Sequence, residues 1–146
     1  REPGMTAEAG HGSEVAILNE VLEHSRSAVS LMQRYLRGTA DEEVRSGLRE
    51  AIVSQARICS AVYQHIRRLG GEPSVTVAPL AAGSRTLTDP SQQLEVLATL
   101  LEEFVELVAL HVSSLDALCR DFFDRALPQE RLHFAWARSL SLRRRL

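Results

Sequence analysis

The chain has 146 residues, of which 45% are hydrophobic and 25% are charged, a balance typical of one globular domain. Its net charge of −2 argues against a nucleic-acid partner, and no apolar run reaches the roughly 18 residues of a membrane span. The basic residues are all arginine, which excludes lysine-based Schiff-base and phosphate-loop chemistry. We expect a cytoplasmic protein without a membrane partner, in which Cys59 and Cys119 are reduced, buried thiols.

Two amphipathic helices are predicted in the first half of the chain. Apolar residues recur at alternating steps of three and four over residues 14–37 and again over 41–69. Ser13 and Asp41 are the expected N-caps, because their side-chain oxygens accept hydrogen bonds from free backbone amides. Gly70, followed by a second glycine, marks the end of the second helix. The short link between the two helices predicts an antiparallel hairpin.

Two further helices are predicted after a long connection. Asp89 is a suitable cap and Pro90 suits the first helical position, so a third helix is expected over 90–125. The pair Ser113-Ser114 would allow a break in it. A fourth helix is expected over 128–144. Its inward side chains are predicted to be Leu132, Trp136 and Leu140.

The connection over residues 70–89 is rich in Gly, Pro, Ser and Thr. Its twenty residues reach about 66 Å when extended, whereas a helix of two dozen residues is about 36 Å long. The connection is therefore long enough to cross the whole bundle. The sequence thus predicts an all-α four-helix bundle, in which two antiparallel hairpins are joined by one long crossover. We interpret residues 1–12 as a disordered or tag-derived segment and 13–146 as a single domain.

The third helix carries more apolar residues than one bundle core requires. Besides its heptad seam, it carries Val96, Leu100, Val105, Leu107, Leu110 and Val112. A helix that is apolar on two sides is usually buried on both. We therefore predict a homodimer with this helix at or near the interface. The alternative is that the crossover covers this face through Val75, Val77, Leu80 and Leu87.

Three stretches of the chain resemble the ferritin-like superfamily, and in particular its small rubrerythrin-type members. They are Leu18–Leu22 (LNEVL), Ile66–Pro73 (IRRLGGEP) and Glu130–Trp136 (ERLHFAW). The resemblance implies a di-iron or di-manganese site inside the bundle, with one Glu from each of two helices and Glu-x-x-His from each of the others. It places the ligand positions at Ser25, Gln55, Ile58, Phe104 or Glu103, Glu130 and His133.

Most of these positions do not hold metal ligands. Serine, glutamine and isoleucine do not replace carboxylates and imidazole around a hard cation. We therefore predict a degenerate metal site, with no di-metal centre, no cofactor and no catalytic residues. Ser25 and Gln55 are expected to hydrogen-bond each other or the backbone and so fix the helix register. The alternative is that they are the remnant of a converted site that binds a small ligand.

The function predicted from the sequence is a non-catalytic binding, scaffold or regulatory bundle. The alternative is a residual iron or manganese protein that uses Glu130 and His133 with Glu103 or His111. Simpler interpretations make Glu130 and His133 part of an exposed first turn after Pro128, and His111 a core or rim histidine. A more remote alternative is a histidine phosphotransfer module, since His65 is followed by basic residues and a glycine.

Overall fold

The computed structural model describes residues 2–145, and the described chain is helical with no strands. Its four helices are α1 (Glu2–Gly38), α2 (Glu42–Arg68), α3 (Pro90–His111) and α4 (Ala117–Arg145). Short 3₁₀ turns cover Ser84–Thr86 and Val112–Ser114. In the described part of the chain, no helix combines the length and apolar character needed to cross a membrane.

The helices form a four-helix bundle, as predicted. Each of α1 and α4 packs against both α2 and α3. Hydrogen bonds from Arg45 to the carbonyl of Leu36 and from Ser25 to Gln55 show that α1 and α2 are antiparallel. The ion pairs Glu102–Arg138 and Glu95–Arg145 show the same for α3 and α4. The prediction of two antiparallel hairpins is confirmed.

The connection between α2 and α3 runs along α1 from its N-terminal half towards its end, as a crossover. The backbone amide of Ser74 donates to Asn19 Oδ1 at 2.7 Å, and that of Ala78 to the carbonyl of Glu23 at 3.1 Å. Further along, the buried Tyr35 hydroxyl donates to the carbonyl of Ser84 at 2.7 Å, and burial raises the pKa of this phenol to about 12. The crossover thus brings the chain back to the other end of the bundle before α3 begins.

Local signals placed three helix ends correctly. The carboxylate of Asp41 accepts from the amide of Val44 at 3.2 Å and caps α2. The carboxylate of Asp89 accepts from the amide of Ser91 at 3.0 Å, with a proline at the first position of α3. The chain leaves α2 through Gly70, whose φ of 81° lies in the left-handed region that favours glycine.

The start of α1 differs from the prediction. The helix begins at Glu2, so the segment 1–12 that we expected outside the bundle is helical from its second residue onwards, and Ser13 is not a cap. Pro3 lies in the first turn, where its missing N–H costs no helical hydrogen bond.

The boundary between α3 and α4 also differs from the prediction. The third helix ends at His111, and α4 starts at Ala117 instead of 128, so Pro128 lies inside a helix. Asp116 explains the earlier start, since its carboxylate accepts from the amide of Cys119 at 3.0 Å and caps the helix. With the helix in this position, Leu132 is 62% exposed and not inward, while Leu140 is buried.

The α3 face that we expected a dimer to cover is largely covered within the chain. Leu100 and Val105 are each only 9% exposed, and Leu80 of the crossover packs on the same apolar cluster as Val96. Leu110 is the exception at 73% exposure. The crossover therefore shields part of this face. It does so without the predicted help of Val75 and Val77, which are 94% and 47% exposed.

Candidate functional site

A layer of polar side chains divides the core of the bundle. Ser25 of α1, Gln55 of α2 and Glu130 of α4 are each 0% exposed. On one side lies an apolar cluster that includes Leu31, Met32, Leu48, Leu97 and Leu101. On the other side lies a cluster that includes Leu18, Leu22, Ile58, Phe104 and Phe123. The polar layer therefore joins three helices at a level where water does not reach them.

The side chains of the layer form one hydrogen-bonded chain. The hydroxyl of Ser25 donates to Gln55 Oε1 at 2.5 Å, and Gln55 Nε2 donates to Glu130 Oε1 at 2.6 Å. Ser54 donates to the other carboxyl oxygen, Glu130 Oε2, at 2.5 Å. The thiol of Cys59 donates to Ser25 Oγ at 3.1 Å. The series of hydrogen bonds thus ends at Glu130, which accepts at both of its carboxyl oxygens.

Burial dominates the electrostatics of this carboxyl group. Desolvation raises the pKa of Glu130 above its usual value, while the bonds from Ser54 and Gln55 and the charge of His133 act in the opposite direction. Burial likewise raises the pKa of the Cys59 thiol. Burial therefore acts against the charged form of both groups, and the raised pKa of Cys59 disfavours a reactive thiolate.

The structure brings together three of the residues selected from the sequence. The expected hydrogen bond between Ser25 and Gln55 is present. The interpretation of Glu130 as part of an exposed first turn is wrong, because α4 continues through Pro128 and turns this side chain into the core. The sequence did not identify Ser54 as a partner of Glu130, since a serine beside the apolar seam carries no distinctive signal.

The remaining candidates lie apart from the layer. Phe104 occupies the core position on α3, so Glu103 is exposed and lines a cavity beneath the crossover. His111 is half-buried in the last turn of α3. His133 is half-buried one turn after Glu130 and lines a groove between α2 and α4. Within the described chain, these candidates form no three-ligand group.

The residues of the layer do not fit a di-metal centre. Besides Glu130, the core positions implied by the resemblance hold serine, glutamine, isoleucine and phenylalanine, which lack the carboxylates and imidazoles that such a centre requires. Both oxygens of Glu130 already accept hydrogen bonds from protein donors. A closed hydrogen-bonded layer is the arrangement these residues support chemically.

A second polar cluster, at the start of α4, was not predicted. Among the described residues, Glu14, Asp116 and Cys119 form the one group of three whose ligand atoms lie within 4.8 Å of one another. The guanidinium of Arg68 donates to both carboxylate oxygens of Asp116, at 2.8 and 3.1 Å, and so supplies the positive charge of this group. Burial raises the pKa of the Cys119 thiol to about 12. The cluster is thus a partly exposed ion pair combined with a helix cap.

The Arg68–Asp116 pair predicts a pH dependence of stability. The Arg68 guanidinium and the Cys119 amide hold the pKa of Asp116 well below its ordinary value of 3.8. Because the folded pKa is lowered, the stabilisation is present above the unfolded pKa and is lost as the pH falls below it. From about pH 6 to pH 2 we expect the native protein to lose about 1 kcal/mol more unfolding free energy than Asp116→Asn.

Urea unfolding across this pH range, followed by circular dichroism, measures the difference. Asp121→Asn is the matched control, because Asp121 forms an exposed pair with Arg125 one turn further along α4. This control is expected to follow the native curve. Parallel curves for the native protein and Asp116→Asn would contradict the prediction.

His65, the residue of the phosphotransfer alternative, is engaged with its neighbours. Its ring lies 6.1 Å from that of Phe122, and its Nδ1 lies 2.9 Å from a guanidinium nitrogen of Arg68. Burial and the charge of Arg68 lower its pKa. The glycine nearest to it, Gly70, lies beyond the end of α2. The surroundings of His65 therefore differ from an open, exposed phosphoacceptor.

Comparisons with known proteins give one family. Residues 13–105 match the family model DUF6306, a domain of unknown function. The matched range contains Ser25 and Gln55, and Glu130 lies C-terminal to it. A search of the curated proteins and a search of the solved structures each find no match.

Proposed function

This chain belongs to the DUF6306 family, and we propose that it is a non-catalytic bundle with a binding, scaffold or regulatory role in the cytoplasm. The proposal includes descent from a ferritin-like ancestor. Two hairpins joined by one long crossover support that descent, as does a buried polar layer at positions that the sequence resemblance assigns to metal ligands.

The closed hydrogen bonding of the layer is the observation that carries the proposal. Glu130 accepts hydrogen bonds from α2 at both oxygens. Gln55 donates to Glu130 through its amide nitrogen and accepts from Ser25 at its amide oxygen. A buried polar network in which every member has a partner rigidifies a core and specifies its register. These groups therefore serve the register of the bundle, and binding falls to other surfaces of the molecule.

Metal analysis of the purified protein tests this proposal. After expression in medium rich in iron and manganese, we expect substoichiometric amounts of both metals, with no oxygen consumption on addition of ferrous iron. Glu130→Ala is expected to leave the metal content unchanged, as is the exposed control Glu106→Gln. About two metals per chain, lost in Glu130→Ala, would overturn the proposal in favour of a di-metal protein.

A residual single-metal protein is the second candidate. It is favoured by the position of His133 one turn after Glu130, close enough for the charge of the histidine to affect the pKa of the carboxyl group. One iron or manganese per chain, lost both in Glu130→Ala and in His133→Ala, would support this function. The same metal content in both variants as in the native protein would exclude it.

We also propose that the protein is a homodimer, with Leu110 of α3 in the interface. This side chain is 73% exposed, and burying a leucine is worth about 1.5–3 kcal/mol. Light scattering at micromolar concentration is expected to give a dimer of the 16.2 kDa chain. Leu110→Ser is expected to shift the dimer towards monomer, while the control Leu142→Ser, on α4, leaves it unchanged. A native monomer that persists on concentration would contradict the proposal.

A further inference from the structure

A cavity of about 590 Å³ lies between the crossover and α3. Cavities of about 300–1,000 Å³ are typical of sites for small molecules. It is separate from the polar layer, since none of Ser25, Gln55 and Glu130 lines it. Of the residues named for a metal site only Glu103 lines it, and the dimer proposal gives this cavity no role.

The crossover is held largely by α1, and α3 binds it only near its end, where Gln93 Nε2 donates to the carbonyl of Leu87 at 2.8 Å. Between residues 72 and 86 of the described chain, every hydrogen bond from the crossover to a helix goes to α1. Ser27 donates to the carbonyl of Ala78 at 2.5 Å, and Arg34 Nε to that of Arg85 at 2.5 Å. Over this range the crossover is therefore fixed along α1, and the cavity lies between its other side and α3.

The walls of the cavity are largely apolar. Leu80 of the crossover faces Val96 and Leu100 of α3 across it, and Pro79 and Leu87 extend the crossover wall. Leu80 and Val96 are half-buried, and both also pack on the apolar cluster of the core. These side chains give the cavity a firm floor that an apolar group of a ligand would cover.

The rim of the cavity is acidic. Asp89, Glu95 and Glu103 line it, and the one basic lining residue is Arg145, which already forms an ion pair with Glu95. Asp89 accepts hydrogen bonds from Ser91, and Glu103 forms no ion pair with any described residue. With one acid neutralised by Arg145, a net negative charge remains beside an apolar floor.

We propose that this cavity binds a small organic cation with an apolar body, such as an aryl- or alkylamine. The apolar body lies against Leu80, Val96 and Leu100, and the ammonium group lies at the rim beside Glu103. An anionic ligand of the same shape would be repelled by the acidic rim. The rim therefore favours a positively charged head group, and the floor favours an apolar body. This inference deepens the proposed binding role and rests on it.

Binding is measured by two-dimensional amide NMR on the full chain with three probes of one shape. Phenylbutylamine, phenylbutanol and phenylbutyrate share an apolar body and differ in head-group charge. We expect the amine to bind with a Kd on the order of a millimolar or lower, and to shift the amides around Leu80, Val96 and Leu100. The alcohol is expected to bind more weakly than the amine, and phenylbutyrate most weakly.

Two variants, each with a control on α3, test the floor and the rim separately. Thr99→Trp places an indole in the cavity from an exposed lining position and is expected to abolish the shifts, whereas Ala109→Trp keeps them. Glu103→Gln is expected to weaken binding of the amine about two- to fivefold. The control Glu106→Gln, an exposed acid outside the cavity, is expected to leave it unchanged.

Three results would overturn the inference. They are no saturable shift with the amine, equal binding of phenylbutyrate and phenylbutylamine, and shifts that persist in Thr99→Trp. Metal content is measured separately, so a metal-binding protein with an amine site would sink the proposed non-catalytic role and leave this inference standing. A protein without metal that binds none of the probes would overturn this inference and leave the proposed non-catalytic role standing.

Discussion

Replacing Gln55 by Leu is expected to lower the free energy of unfolding by about 3 kcal/mol. The substitution keeps the volume of the side chain but removes the donor to Glu130 Oε1 and one of the two acceptors of the Ser25 hydroxyl, which keeps the backbone carbonyl of residue 55 at 3.1 Å. Glu130 is then left in an apolar interior with one of its two oxygens unpaired. A buried polar group without its partner bears the full cost of leaving water.

The matched comparison is a variant in which the whole layer becomes apolar. Ser25→Ala/Gln55→Leu/Glu130→Leu replaces the three fully buried polar side chains of the layer. Ser54 and Cys59 lose their acceptors, but both are only half-buried, and Ser54 lines a groove between α2 and α4. We therefore expect a stability within about 1 kcal/mol of the native protein or above it. Urea unfolding measures both variants, and Gln64→Leu on the exposed face of α2 is the control. A triple variant less stable than Gln55→Leu would contradict this account of the layer.

Replacing Gly47 by Val is expected to lower the free energy of unfolding by about 2–3 kcal/mol. A Cβ atom at this position would lie 2.0 Å from Cζ2 of Trp136, so it would overlap the indole ring that packs there. The half-buried Trp136 would have to leave its place against the core, and valine brings two further methyl groups into the same space. The gain in helix propensity from removing a glycine, up to about 1 kcal/mol, is too small to compensate.

A double-mutant cycle with Trp136→Ala separates this clash from a local effect on α2. The two substitutions together are expected to cost less than the sum of their separate effects, because the alanine frees the space that the valine needs. Gly12→Ala, in α1 with no atom near its added Cβ, is the control and is expected to be neutral or slightly stabilising. Additive effects of Gly47→Val and Trp136→Ala would contradict the clash.

Interactions between neighbours in the sequence were sufficient to predict the architecture. The caps at Asp41 and Asp89 and the stop at Gly70 act within one turn of their own residue, so the sequence shows both partners together. The spacing of apolar residues fixed which side of α1 and α2 faces the core, including Ser25 and Gln55. The length of the crossover then showed that the connection between the two hairpins can run along the whole bundle.

Only the tertiary structure decided which side chains meet across helices. Glu130 contacts Gln55, and Trp136 packs on Gly47, because α4 begins at Ala117 and continues without interruption through Pro128. A proline is a strong local stop signal, and packing along the whole of α4 overrides it here. The sequence by itself determined four helices, their hairpins and the crossover. The rotation of α4, and with it the partner of each buried polar group, follows from contacts between residues that are distant in the chain.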